Sequence, residues 1–348
     1  MAIDLPLTPH PPRIAIVASR SQREGRSSPL ARVLVDFAPF LADTLKAELL
    51  LPGATYDAAL ESGALAGYPH LTRLPPIREG GLVTLTALVV GLPEMGMGAK
   101  TGVGTETGMG GAVDWVIYLL DPNDIASLYP ETQALKRQCV VNDKPFLSTE
   151  AAASEWCALE WHRAVRLGEA PAHSGLDTMI ARWVRPDRIG EEAMSLIAHD
   201  SLKLRMLEFA TRHRRLLERF GRRLATGTTG TLLNGELPAR LAGADPDYLS
   251  RLKAELAAEP GAPWIEALKS GPRGGDAQIA QAVMLGDCRR SVFFEDPHVA
   301  REHEADIQLL ERATRFAPAG CLCLNSQGPA ERWAENLEAL LAARTAVS

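Results

Sequence analysis

The sequence is short of three things, each of which would have fixed a class. It has no basic excess: 37 Lys and Arg stand against 43 Asp and Glu, a net charge of −6. That balance argues against a nucleic-acid partner and against general attraction to anionic membranes, while leaving room for a local basic pocket around a small anion. It has no run of the roughly 18 apolar residues that a membrane span requires. The first residues, with Asp4 and three prolines within 9–12, are not expected to be a signal peptide. Among its five cysteines (Cys139, Cys157, Cys288, Cys321 and Cys323) there is no C-x-x-C pair and no His/Cys cluster at zinc spacing. Reduced thiols packed inside a cytoplasmic protein are expected, with no metal site.

What is there, at 348 residues, is enough chain for two domains. Arg13–Ala18 is a short apolar run, the form of a buried parallel strand. Ser28–Leu45 has helical spacing (Leu30, Val33, Leu34, Phe37, Leu41, Leu45), and Glu48–Leu51 reads as a second strand. Strand, helix, strand in this order predicts an α/β fold with a parallel sheet. The glycine- and threonine-rich stretch Gly96–Gly111 does not fit G-x-x-x-x-G-K-[ST] and reads as a surface loop or a degenerate site. Val113–Leu120 is a strand, Glu131–Gln138 a helix and Pro145–Leu147 a short strand.

Residues 151–189 blur into a helical connector with tryptophans 156, 161 and 183, which gives a first domain over 1–150 and a second over 190–348. The second half then restarts the programme. Ser195–Ala198 and Arg223–Ala225 read as strands, and Leu202–Phe220 as one long helix with an exposed basic face over Arg212–Arg223. Thr231–Leu268 reads as an insertion with a helix at Leu249–Ala257. Gly274–Leu285 is a helix, Ser291–Phe294 a strand, Ala305–Phe316 a helix, Gly320–Leu324 the last strand and Arg332–Ala343 a terminal helix. His213 and His298 sit among charges and are expected to be solvated.

The halves align with each other. Val116–Pro122 matches Ser291–Pro297, and at the same offset Glu131, Gln133, Leu135 and Arg137 fall on Asp306, Gln308, Leu310 and Arg312. Such self-similarity predicts a tandem duplication. The copies differ where chemistry belongs, with Ser19-Arg20 against His199-Asp200, Leu128 against His303 and Thr101 against Asp276. Reactive side chains are in the second copy.

Four clusters of that copy fall at the carboxyl ends of predicted strands, where open α/β sheets place ligands. They are Ala198-His199-Asp200 with Lys203, Thr226–Gly230, Ser270–Asp276, and Asp296-Pro297 followed by His303 and Asp306. Hydroxyls, a lysine and main-chain N–H groups suit a phosphate, and carboxylates with histidines suit proton transfer beside it. Asp276 can also be read as the N-cap of the helix after it, and Asp296-Pro297 as a turn.

In these residues the sequence resembles methylglyoxal synthase, whose motifs A-H-D-x-x-K, T-G-T-T-G, S-G-P-x-G-G-D-x-Q and D-P with H-x-x-D appear here in order. The resemblance covers about Ser195–Asn325 and implies two tandem Rossmann-like, three-layer α/β domains, the first degenerate. It implies conversion of dihydroxyacetone phosphate to methylglyoxal and inorganic phosphate, without a cofactor, in a homo-oligomer. Asp276 would be the base, and His303 would stabilise the enediolate and move a proton between its oxygens. Lys203, Thr226, Gly227, Thr228, Thr229, Ser270 and Gly271 would hold the phosphate, and His199 would contact the substrate. Asp200, Asp296 and Asp306 would orient the polar network, with Asp306 assisting proton transfer. The family's tail arginine, which reaches a neighbouring subunit's phosphate, has no match here, and Arg182, Arg185 or Arg188 could stand in for it. Two other readings stay open: a non-catalytic phosphate-ligand module like the regulatory domain of carbamoyl phosphate synthetase, and a lyase for another phosphorylated carbonyl compound.

Overall fold

The computed structural model describes residues 11–91, 112–238, 241–257, 264–298 and 304–347. The chain divides into two compact units, Met1–Phe146 and Leu147–Ser348. The first is built on strands β1 (Arg13–Ala18), β2 (Glu48–Pro52), β3 (Leu71–Leu74), β4 (Trp115–Leu119) and β5 (Phe146–Leu147), in the order β3-β2-β1-β4-β5. The second is built on β6 (Ala193–Ala198), β7 (Arg222–Ala225), β8 (Glu266–Ala267), β9 (Cys288–Phe294) and β10 (Leu322–Leu324), in the order β10-β9-β6-β7-β8. Each is a parallel sheet flanked by helices, an α/β fold. The two strand orders are the same when read from opposite ends.

The apolar runs explain the central strands. All six residues of β1 and of β6 are buried, which a strand covered on both faces requires. On one face of the second sheet Ala193, Ile197 and Leu224 pack with Ile279, Val283, Ile307 and Leu310 of the helices Gly275–Met284 and Glu304–Phe316. In the first unit Ala15, Val17 and Leu50 pack likewise with Leu82, Leu85, Leu88 and Leu135. All five thiols are free and four are buried. Burial pushes Cys139 up to about 12 and Cys288 up to about 11, so they behave as small apolar side chains.

Several expectations are corrected. The helix over Leu202–Phe220 is two, Lys203–Arg212 and Arg214–Leu217, broken at His213. That histidine is not solvated: it is 2% exposed, with Nδ1 2.9 Å from Glu338 and Nε2 2.7 Å from Glu331, both on the helix Gln327–Val347. The apolar spacing hides the break because Leu216 and Leu217 are buried beyond it. The expected basic face therefore covers only part of Arg212–Arg223. The insertion ends sooner than Leu268, since Glu266–Ala267 is an edge strand of the sheet, paired with β7. Helices Gly53–Glu61 and Gly81–Val90 and strand β3 add to the elements expected from the apolar pattern.

The helix Glu150–Arg166, expected as connector, belongs to the second unit and carries two buried glutamates. Glu155 accepts from Arg290 Nε at 2.7 Å and from Trp333 Nε1 at 2.9 Å, and Arg290 also reaches Glu192 at 2.5 Å. Glu160 accepts from Arg332 and from Asn336. Removing one partner of a buried pair strands the other charge. Glu155→Ala should therefore cost about 3–5 kcal/mol in urea unfolding, whereas breaking the exposed Arg188–Glu191 pair should cost under about 1 kcal/mol.

Burial alone would lower the pKa of His213, but the hydrogen bonds and charges of Glu331 and Glu338 outweigh it and raise the group to about 9. A folded-state pKa above the unfolded value gives stability that is complete below pH 6.5 and is lost as pH rises through about 9. That loss is on the order of 3 kcal/mol. Unfolding free energies measured across this window should fall in the wild type, and the fall should be largely absent in His213→Gln.

Candidate functional site

In an open parallel sheet the crevice lies beyond the carboxyl ends of the strands, where the chain leaves a central strand in opposite directions. In the second unit this is the gap between β6 and β9. The His199 N–H donates to the Phe294 carbonyl at 3.1 Å, continuing the ladder one residue past β6. Its Nδ1 accepts the Asp296 N–H at 2.8 Å, which places the proton of the neutral ring on Nε2. The ring stands edge-on to Phe293 with centroids 5.1 Å apart. Thus His199 is held by the main chain of Asp296. The Asp296 carboxylate accepts from the Ser201 hydroxyl at 2.5 Å and from the His298 N–H at 3.0 Å. Asp200 is largely exposed and pairs with Lys203, whose side chain is mostly covered.

After β7, Thr226 is the N-cap of the helix Gly227–Leu233, with its hydroxyl 3.4 Å from that of Thr229, both buried. The turn is pressed against the loop after β8. The Gly227 N–H donates to the Lys269 carbonyl at 2.8 Å, and a Cβ on Gly227 would lie 2.8 Å from the Leu268 oxygen and 2.9 Å from the Ser270 nitrogen. Ser270 then opens a 3-10 turn over Gly271–Arg273, closed by Gly274 at φ +95°. A Cβ on Gly275 would fall 1.9 Å from the Lys269 oxygen, so only glycine fits there. This turn sets Asp276 in the first turn of Gly275–Met284, 2% exposed. Asp306 is half-buried in the first turn of Glu304–Phe316. His303 lies outside the described residues, as does Gly96–Gly111.

Two clefts of about 570 Å³ each open here. One is lined by Gly227, Thr228, Thr231, Lys269, Ser270 and Arg273. The other holds Lys203 and Asp200 opposite Leu237, Leu241 and Lys253 of the inserted segment. Thr228 and Thr231 line both. The expected phosphate residues are therefore split, with Ser270 and Gly227 on one side of Thr228 and Lys203 on the other. Lys269, Arg273, Thr231 and Lys253 join the clefts without a signal in the sequence; the first two flank or fill the variable positions of the serine motif. Among the described residues no group of three or more His, Cys, Asp or Glu side chains is arranged to hold a metal ion.

The arginines expected to replace a tail arginine lie at the end of this unit away from its own crevice, so within the unit they do not reach it. Arg185 pairs with Glu192 at 3.1 Å and Arg188 with Glu191 at 2.8 Å, just before β6 begins, and Arg182 stacks on Trp183. The six residues of β6 put about 20 Å between them and the crevice.

The same hydrogen bonds recur in the first unit with other side chains. The Ser19 N–H donates to Leu119, the Asp121 N–H to the Ser19 hydroxyl at 3.0 Å, and the Ser21 hydroxyl to Asp121 at 2.5 Å. Gly80 has φ +91°, and the Gly81 N–H donates to Pro76 at 3.0 Å as that of Gly275 does to Ser270. Ser19 thus stands for His199, Pro52 for Thr226, Ala54 for Thr228, Pro76 for Ser270 and Leu82 for Asp276. The expected pairing of Asp276 with Thr101, itself outside the described residues, is replaced by Leu82.

No family model matches the chain. Among curated proteins, the methylglyoxal synthase of Agrobacterium fabrum is 36% identical over 123 residues, which is 35% of this chain and 78% of that protein. This chain belongs to the methylglyoxal synthase family. The methylglyoxal synthase of Thermus thermophilus is 39% identical over 121 residues, 35% of this chain and 76% of its own length. A crystal structure of methylglyoxal synthase from Elizabethkingia anophelis aligns with 44% of this chain and 78% of its own at 21% identity, with a TM-score of 0.28. About a third of the chain is thus a methylglyoxal-synthase-like domain, and its relatives point to a lyase.

Gly275→Ala tests the turn that seats Asp276. The new methyl group meets a carbonyl oxygen, so a loss of about 1–3 kcal/mol is expected in thermal or urea unfolding. Gly286→Ala, where a Cβ meets nothing but φ is +81°, provides the comparison for conformational strain alone.

Proposed function

We propose that the second unit is a methylglyoxal synthase that converts dihydroxyacetone phosphate to methylglyoxal and inorganic phosphate, and that the first unit is a degenerate copy of it. The observation that carries this reading is the buried Asp276 carboxylate, seated by a glycine-locked turn that also brings Ser270 to a hydroxyl- and cation-lined cleft. Asp276 is not the N-cap expected from the sequence, since Gly274 holds that position and Asp276 is the second residue of the helix, so capping does not account for a buried carboxylate here. The identity to methylglyoxal synthases supports the same assignment.

In this mechanism Asp276 takes a proton from the hydroxymethyl carbon beside the substrate carbonyl. The electron pair left behind forms an enediolate, whose charge must be met as it develops. His303 is assigned that task by its motif position, together with proton movement between the two oxygens, a carboxylate–imidazole division of labour known from triosephosphate isomerase. Collapse of the enediolate breaks the carbon–oxygen bond to phosphate. The enol that remains takes up a proton at its methylene carbon and becomes the methyl ketone of methylglyoxal. Ser270, Thr228 and the main-chain N–H groups of Thr228 and Thr229, which have no acceptor within their own helix, receive the phosphate, the Gly227 N–H being given to Lys269. Lys203 and His199, both beyond the carboxyl end of β6, are assigned to the substrate by their motif positions, and Asp306 assists proton transfer. The first unit keeps the scaffold but has Leu82 and Pro76 where a base and a phosphate ligand would sit.

Purified protein supplied with dihydroxyacetone phosphate should release methylglyoxal and phosphate in equal amounts. Asp276→Asn should lower kcat by about 10²–10⁴ with its fold intact, and Leu82→Asp should add no activity. Phosphate binding without turnover would instead identify a non-catalytic ligand module. Turnover of a different phosphorylated carbonyl compound would identify another lyase.

A further inference from the structure

We propose that Lys269 and Arg273 form a cationic clamp for the phosphate dianion of the ligand, a role the family motif does not assign to either residue. The inference rests on reading the first cleft as the phosphate site. Both side chains line that cleft with Thr228, Thr231 and Ser270. Both are exposed, and neither side chain makes a hydrogen bond or an ion pair with another described residue. Several other cations of the unit are answered, Arg222 by Glu266, Arg214 by Glu218, Arg290 by Glu155 and Glu192, whereas Arg205, Arg215 and Arg219 are exposed without a partner among the described residues, as these two are. What sets Lys269 and Arg273 apart is that both line one cleft. Two unanswered positive charges at one cleft repel each other, and an anion between them removes the repulsion while gaining two charge-assisted hydrogen bonds.

The backbone under both residues is fixed. The Lys269 carbonyl accepts from Gly227, and its N–H donates to the Gln278 side chain at 2.9 Å. The Arg273 N–H closes the turn onto Ser270 at 2.9 Å. Only the side chains can move, so the clamp closes on a ligand without reordering the loop. At the equivalent turn of the first unit, Pro75 stands for Lys269 and Glu79 for Arg273, so the charge is lost at one position and reversed at the other. The clamp thus belongs to the unit that carries Asp276. The planar guanidinium can take two phosphate oxygens at once, while the ammonium supplies a point charge. Together they favour a phosphomonoester dianion over a monoanionic carboxylate of similar size.

Two measurements separate this clamp from the proposed reaction: equilibrium binding of inorganic phosphate, and steady-state kinetics on dihydroxyacetone phosphate. Arg273→Gln and Lys269→Gln should each weaken phosphate binding about 10–100-fold. KM should rise more than kcat falls, the salt dependence of binding should weaken, and Arg273→Lys should recover part of the loss. Unchanged circular dichroism and Tm establish that the variants are folded. If phosphate binds the folded double variant as it binds wild type, or does not bind wild type at all, the clamp is refuted. If wild type fails to turn over the triose phosphate yet loses phosphate binding on substitution, the clamp stands and the proposed reaction falls. Turnover with KM unchanged in both variants refutes the clamp and leaves the reaction standing.

Discussion

One close approach of main chain to main chain governs the second unit's crevice. The turn after β7 and the loop after β8 touch through the hydrogen bond from Gly227 to Lys269, at a separation no Cβ could share. Gly275 repeats the constraint one turn later against the same carbonyl. These contacts let two strand ends, separated by an inserted segment, present their hydroxyls and N–H groups to a single cleft. Were the loops free to part, Thr228 and Ser270 would line different surfaces, and the carboxylate of Asp276 would lose its fixed relation to both. Preorganisation of this kind is what allows a weak base and neutral donors to act on a developing charge.

The two units separate what the scaffold needs from what the chemistry needs. Gly80-Gly81 of the first unit has the left-handed turn and the hydrogen bond of Gly274-Gly275, yet Leu82 follows where Asp276 would be. The glycines therefore serve the turn itself. In the same way the Asp121 and Asp296 carboxylates each accept from a serine at 2.5 Å. Asp296 is accordingly a brace that holds the β6–β9 gap, whatever else it does beside a substrate. What distinguishes the second unit is a short set of side chains: His199, Thr226, Thr228, Ser270, Asp276 and the two cations of the serine turn.

Much of this is legible in the sequence because the informative features are local. Apolar runs such as Arg13–Ala18 mark buried parallel strands, and the threonine and serine motifs mark strand-end turns by their glycines. Features that depend on distant partners are not legible. His213 reads as a surface histidine until the helix Gln327–Val347 brings Glu331 and Glu338 to its ring. The edge strand Glu266–Ala267 has two exposed residues and no apolar signal of its own. The Asp276–Thr101 pairing fails for a different reason. It assumes one offset throughout the alignment of the two halves, but the serine turn and its counterpart Pro75–Leu82 follow connections of unequal length. The offset that joins Asp121 to Asp296 therefore does not join the turns.

The charge of the crevice also follows from the fold. The chain is acidic overall, so an anionic ligand meets no general attraction, and binding must come from charges concentrated at one place. The second unit meets many of its arginines with glutamates around its sheet, as at Arg290 and Arg332. Lys269 and Arg273, without such partners among the described residues, instead bring two positive charges to one cleft. A protein of this composition can be repellent to anions at a distance and attractive at one cleft, a property that the net charge conceals and the arrangement of carboxylates determines.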